Sequence, residues 1–230
     1  MCEKAEQGDL NVIFLIYSGI GAGGLLQDKP VTSFLMYHFL MGDGQPVRLS
    51  HEFVLQSAAA TAARDNLRRS YLRDKVRPIA LGLSLGQSAS VSVENMSSDL
   101  VVASDDQAVW YAMGRFFIDA DYEGGVFRDC AGYYVNYVGE YRINDAYDWH
   151  GIGDPEGPLS VHIPLGEYNL WVPDEWAEDL ADAGVAFEFY MYVHWFEEET
   201  IKIGPTWYIP ESRATEREPF FDPPPIWGTP

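Results

Sequence analysis

Apolar positions along this chain follow two periods. Between Pro30 and Pro78 they recur every third or fourth residue, and over most of the remainder every second residue. Thr32 to Met41 predicts a helix, with Pro30 near its start and Gly42 past its end. A longer helix is predicted from Ser57 to Arg77, closed by Pro78. From Ile79 the period becomes two. Ile79, Leu81, Leu83 and Leu85, then Val91 and Val93, predict two strands around Gly86-Gln87-Ser88. Ser104, Asp105 and Asp106 cap a short helix through Met113, ended by Gly114. Arg115 to Asp121 predicts a strand, and Glu123-Gly124-Gly125 a turn. Tyr133, Val135, Tyr137, Tyr141 and Ile143 then mark one face of an aromatic strand over 131–144. Residues 159–172 continue as β-structure, and Pro173-Asp174 opens an acidic helix, 175–183, stopped by Gly184. Val185, Phe187, Phe189, Met191, Val193 and Trp195 line one face of a last long strand. From Pro205 the chain is rich in proline and charge, which predicts a poorly packed tail.

These elements predict an α+β fold in three parts. Residues 1–77 form a mainly helical N-terminal region. Residues 78–204 form an antiparallel, curved or half-open β-barrel-like sheet with one late helix. Residues 205–230 form the tail.

Composition narrows the function classes. Hydrophobic content of 47% predicts a sizeable core, and the formal charge of −20 leaves no excess of cations to neutralise phosphates, so nucleic acid is excluded as a partner. Six of the fifteen cations fall in one predicted helix: Arg64, Arg68, Arg69, Arg73, Lys75 and Arg77. That island either pairs internally with acidic loops or meets anionic lipid head groups. Glu197-Glu198-Glu199 reads as a charged strand end that discourages edge pairing. His194 and Glu188 read as solvated groups on the outer face of the last strand. Cys2 and Cys130 make no disulfide framework, and Cys130 is expected to be a small packed residue. Leu10 to Gln27 is uncharged but follows an acidic segment and is broken by glycines. It therefore lacks the pattern of a conventional signal peptide, and synthesis in the cytoplasm is expected. Gly19-Ile20-Gly21-Ala22-Gly23-Gly24 fits G-x-G-x-x-G, but Pro30 follows within a few residues and no βαβ rhythm continues, so a dinucleotide fold is not expected.

The chemistry concentrates in Tyr141-Arg142-Ile143-Asn144-Asp145-Ala146-Tyr147-Asp148-Trp149-His150, where an aromatic strand runs out into a glycine- and proline-rich loop. Asp145, Tyr147, Asp148 and His150 are the candidate catalytic residues, with Arg142 as a candidate anion-binding group and Asp145 as the metal-ligand candidate. Carboxylates hold a hard cation or activate water, and an imidazole moves protons near neutral pH. In an extended strand Asp145 and Tyr147 share one face and Asp148 lies on the other, so all three serve one site only if the strand bends. The competing reading is that the acids cap a turn.

Ala112-Met113-Gly114-Arg115-Phe116 leading into a strand, a Gly-Gly pair, and then Gly139-Glu140-Tyr141-Arg142-Ile143-Asn144-Asp145-Ala146-Tyr147-Asp148-Trp149 resembles the toxin domain of colicin M-like bacteriocins. The resemblance covers about residues 78–203, with D-x-Y-D as its specific element. The segment His38–Gly44 is also similar to lead-ins that precede bacterial toxin domains. The resemblance implies a Mg²⁺-dependent hydrolase that cuts the lipid-linked peptidoglycan precursor lipid II between polyprenyl chain and pyrophosphate. It further implies a half-open β-barrel with the acidic box at one mouth, action in the periplasm of a target bacterium, and a cognate immunity protein as partner. Contact with a membrane surface follows from such a substrate. Asp145, Tyr147 and Asp148 stand at the family's acid, phenol and acid. The family's downstream His-Arg pair falls here on Asp154-Pro155, with His150 as the nearest substitute and His162 the next, while Arg142 precedes the box. Two other readings remain open. The −20 charge also suits an acidic, non-enzymatic immunity, inhibitor or adaptor protein, and residues 10–27 suit a membrane-inserting protein.

Overall fold

The computed structural model describes residues 10–11, 13–15, 18–19, 30–147, 161–165, 168–172 and 175–217. Its elements, in chain order, begin with helix α1 (Pro30–Met41), strand β1 (Val47–Arg48), and helices α2 (His51–Val54) and α3 (Ala58–Ser70). A π-helical turn, Tyr71–Val76, leads into α4 (Arg77–Gly82). Then come β2 (Ser88–Ser97), β3 (Val101–Val102), α5 (Gln107–Met113), β4 (Arg115–Phe116), β5 (Asp119–Asp129) and β6 (Gly132–Tyr147). The last elements are β7 (Val161–Leu165), β8 (Tyr168–Val172), α6 (Glu175–Asp182), β9 (Phe189–Ile203) and β10 (Thr215–Arg217). The α+β expectation holds. The main sheet is six-stranded, in the order β1-β9-β6-β5-β2 with β10 also on β9. It is open, because β1 and β2 end the order without meeting among the described residues. The β2–β5, β5–β6 and β9–β10 pairs are antiparallel.

The chain divides into two compact units. One gathers Arg48–Trp110, Gly114–Asn144 and the residues from Tyr192 onward; the other gathers the chain up to Val47, Tyr111–Met113 and Asp145–Met191.

In the first unit, alternation on β6 buries Tyr133, Val135, Tyr137, Tyr141 and Ile143 on one face, and β9 buries Val193 and Trp195. The π-helical turn widens the backbone where α3 ends and sets Tyr71, Leu72 and Val76 into the core. Tyr71 stacks on Tyr122 at 4.4 Å between ring centroids, and Tyr141 stacks on Trp195 at 4.9 Å. The Tyr122 hydroxyl donates to that of Tyr141 at 3.0 Å. Buried aromatics of this size supply much of the apolar area of a core. Asp106 caps α5 by accepting from the Ala108 and Val109 amides. Asp105 instead reaches back to α3, accepting from the Ser57 hydroxyl at 2.8 Å and the Ala58 amide at 2.5 Å. Its carboxyl is held below the ordinary range, chiefly by the Ser57 hydrogen bond.

In the second unit, α1 buries Leu35, Met36, Phe39 and Leu40. The Phe187 amide donates to the Phe39 carbonyl at 2.8 Å, and the His38 ring meets Phe189 edge-on at 4.6 Å. α6 buries Ala177 and Leu180, and Gly184, at φ 69°, ends the helix segment. The expected β-structure over 159–172 is the β7–β8 hairpin within its described residues. No helix among the described residues is long and apolar enough to cross a membrane.

Several expectations are corrected. Residues 77–82 are helical, not the first of two strands: Pro78 sits in the first turn of α4, directly after the π-helical turn, and Ile79, Leu81 and Leu85 are exposed. Gly124-Gly125 is mid-strand, not a turn. A Cβ at Gly124 would lie 2.2 Å from the Asn136 carbonyl oxygen, so only glycine permits the β5–β6 approach there. The turn lies at Cys130-Ala131, where the Ala131 amide donates to Asp129 Oδ1 at 2.7 Å, and Cys130 is exposed rather than packed. The last strand begins at Phe189, after Val185 and Phe187. The segment through residue 217 is packed rather than loose: Trp207 is buried against Tyr133, and β10 pairs with β9.

Candidate functional site

β6 is sixteen residues long and ends inside the acidic box, at Tyr147. Asp145 is half-buried near that end, three residues beyond Arg142. Asp148 and His150 lie outside the described residues, as does the side chain of Tyr147, and His162 falls on β7. A half-buried carboxylate at a strand end can offer an oxygen to a cation while another part of its coordination shell stays aqueous. Among the described residues no three His, Cys, Asp or Glu side chains lie close enough to hold a metal ion by themselves.

Arg142 sits on the face of β6 opposite Tyr141 and Ile143, half-exposed. Its Nη2 donates to Asp121 Oδ2 at 2.6 Å, and its Nη1 to Glu140 Oε1 at 3.3 Å. Glu140 also meets His194 Nε2 at 2.9 Å. The β5–β6 register places Asp121 opposite Glu140 and Asp119 opposite Arg142, so the ion pair is a cross-strand diagonal. His194, expected to be solvated, is thus paired with a carboxylate from the neighbouring strand. The guanidinium is engaged by two acids, and an anionic ligand there would compete with both.

A second polar constellation lies in the core. Glu197 and Glu199 continue the inward parity of Val193 and Trp195 on β9, and both are buried. Buried Arg68 donates through Nε to the Tyr137 hydroxyl and to Glu199 Oε2, each at 2.8 Å, and through Nη1 to the Pro210 carbonyl at 2.9 Å. Its Nη2 also lies 2.8 Å from Glu199 Oε2, an ion contact without an aligned hydrogen bond. The Tyr137 hydroxyl donates to Glu199 at 2.5 Å, and the Arg213 amide to its other oxygen at 2.8 Å. Arg64 Nη1 bridges Glu197 at 3.0 Å and Glu216 at 2.9 Å, and Glu216 also meets buried His51 at 3.2 Å. Glu197 Oε2 is buried with no hydrogen-bond partner. Burial raises the Glu197 carboxyl above its ordinary range, and Arg64 offsets this only in part. Burial, reinforced by Glu199, likewise raises the Tyr137 phenol well above its usual value. The acids at 197 and 199 are therefore interior ion-pair partners and not an edge-protecting charged end. Arg64 and Arg68 do pair internally, but with strand acids instead of loop acids. One signal in the sequence points there: the alternation of Val193 and Trp195 runs on through 197 and 199 to Ile201 and Ile203.

No protein-family model and no curated protein matches the chain. Among solved structures, it is similar to a truncated bacteriocin, syringacin M from Pseudomonas syringae pv. tomato DC3000, with a TM-score of 0.36 and 15% identity. The match covers 77% of this chain and 61% of that one, so this chain spans about three-fifths of that protein's length.

Proposed function

We propose that this protein is an antibacterial toxin that hydrolyses the polyprenyl–pyrophosphate linkage of lipid II and so blocks peptidoglycan synthesis. The observation that carries the reading is the Asp-x-Tyr-Asp box at the end of β6, with Asp145 half-buried where the strand gives way to the glycine- and proline-rich sequence. Strand ends followed by loops are common places for chemistry. Asp145 is the essential acid and would hold Mg²⁺; Asp148 is the second acid, Tyr147 orients substrate or donates to the leaving oxygen, and His150 is the general acid. The cation would neutralise charge developing on the pyrophosphate oxygens. Arg142 has two of its N–H groups engaged by Glu140 and Asp121, and would assist an anion in competition with those acids. The toxin would act in the periplasm of a target cell and be silenced in its producer by an immunity protein.

Two arms test this. Fused to a periplasmic export signal, the chain should lyse bacteria, while cytoplasmic expression is tolerated. Purified protein with Mg²⁺ should release the polyprenyl product from lipid II, and Asp145→Ala should not. Harmlessness in both compartments, together with no turnover of lipid II, would refute the proposal.

A further inference from the structure

The main sheet treats its two sides differently. On one side β9 is covered: the Leu49 amide beside β1 donates to the Tyr192 carbonyl at 2.9 Å, and β10 pairs with residues 196–198. On the other side β2 ends the strand order, and no described strand pairs with its outer edge. β2 runs for ten residues with no Lys and no Pro, and Glu94 is its one charged side chain. Ser88, Ser90, Ser92, Glu94, Asn95 and Ser97 are exposed. Edge strands of this length normally carry a lysine, a proline or a cover, because their unpaired amides and carbonyls template another strand. The register shift between Val93 and Met96, with Asn95 at φ 57°, ends the regular ladder and leaves Ser88–Val93 as a straight pairing frame.

The acid available beside this edge is Glu123, exposed and paired with Ser92; Asp121, the next outward position on β5, is already held by Arg142 and by the Asn95 amide. The exposed serines are small, so a side chain from an added strand can lie across them. Such a strand would sit roughly 4.8 Å from β2 and roughly 9.6 Å from β5, within the combined reach of a Lys and a Glu side chain.

We propose that the outer edge of β2 accepts an extended segment of a basic partner protein by strand addition, with Lys or Arg at alternate positions reaching Glu94 and Glu123. Main-chain hydrogen bonds would supply affinity, and the acids would select the partner. A second copy of this chain is a poor occupant, because pairing two β2 edges would bring Glu94 and Glu123 against their counterparts in a molecule of formal charge −20.

The test uses the full chain and three decapeptide probes: alternating Lys and Thr, the same peptide with alternate amides N-methylated, and the same peptide with Glu for Lys. Amide exchange of residues 88–93 should slow at least tenfold with the Lys-Thr probe. Affinity should fall at least tenfold on N-methylation and vanish with the Glu probe. The Ser90→Lys/Ser92→Lys variant should lose binding while keeping its thermal midpoint. The proposal is overturned by no binding of the Lys-Thr probe, by protection elsewhere on the chain, by indifference to N-methylation, or by self-association through β2 in sedimentation.

Discussion

Replacing Arg68 by alanine tests whether the interior ion pairs depend on one another as tightly as their geometry implies. The guanidinium serves three groups at 2.8–2.9 Å: the Tyr137 hydroxyl, Glu199 and the Pro210 carbonyl. Arg68 and Glu199 are 2% and 4% exposed, so water cannot replace what is lost. Removing one partner of a buried pair leaves an uncompensated charge and costs about 3–5 kcal/mol. For a chain of this length, that corresponds to a fall in thermal midpoint of roughly 6–20 °C. Near-ultraviolet circular dichroism, which reads the tyrosine and tryptophan core, and urea unfolding should give the same loss. The Arg68→Met/Glu199→Leu double variant removes both charges with similar volume, and should return to within about 2 kcal/mol of the parent. A single variant that unfolds within about 1 kcal/mol of the parent would refute this reasoning, because Glu199 would then be hydrated or neutral without Arg68.

Asp145→Ala should lower lipid II turnover about 10²–10⁴-fold, with midpoint and turnover measured on the same preparation; early melting with normal turnover would make Asp145 structural. Glu197 has a raised folded-state pKa, so the folded protein binds its proton more tightly than the unfolded chain does. The associated stability is full below the unfolded value of about 4.3 and is lost as pH rises through the raised folded value. Glu197→Gln should therefore be more stable than the parent at neutral pH, with the difference in urea midpoints closing below about pH 4. Gly124→Ala should cost at least about 1–3 kcal/mol in urea unfolding, since its Cβ meets backbone at 2.2 Å. Ser57→Ala should cost about 0.5–2 kcal/mol by the same measurement, because Ser57 caps α3 and donates to Asp105.

The aromatic strand is legible in the sequence because burial on β6 falls on one parity, from Tyr133 to Ile143. Caps and stops near Ser57, Asp106 and Gly184 are legible for a similar reason: they act within a few residues. Residues 79–85 mislead because spaced apolar side chains imply burial, whereas Ile79, Leu81 and Leu85 lie on exposed backbone. Gly124 misleads because glycine marks close approach as well as turns, and the close neighbour, Asn136, belongs to another strand. The interior acids are illegible locally: Glu199 looks like a surface residue until Arg68, 131 positions away, is placed beside it. In the acidic box the strand is readable from alternation, although β6 runs on to Tyr147, past the expected end at residue 144; the cross-strand engagement of Arg142 by Asp121 is not readable.

The segment that carries Glu216 has a consequence in time. Arg64 emerges from the ribosome 152 residues before Glu216, and 133 before Glu197. At 5–20 residues per second, it waits roughly 8–30 s for its last partner. Until then Arg64 lacks both strand carboxylates, and until β9 is made the β6 edge it pairs with stays open. These long separations cannot nucleate folding early, because loop closure precedes their reward. Completion of the interior is therefore coupled to completion of synthesis: a chain stalled before Thr215 lacks β10 and Glu216, and holds Arg64 and Glu197 without their last cover.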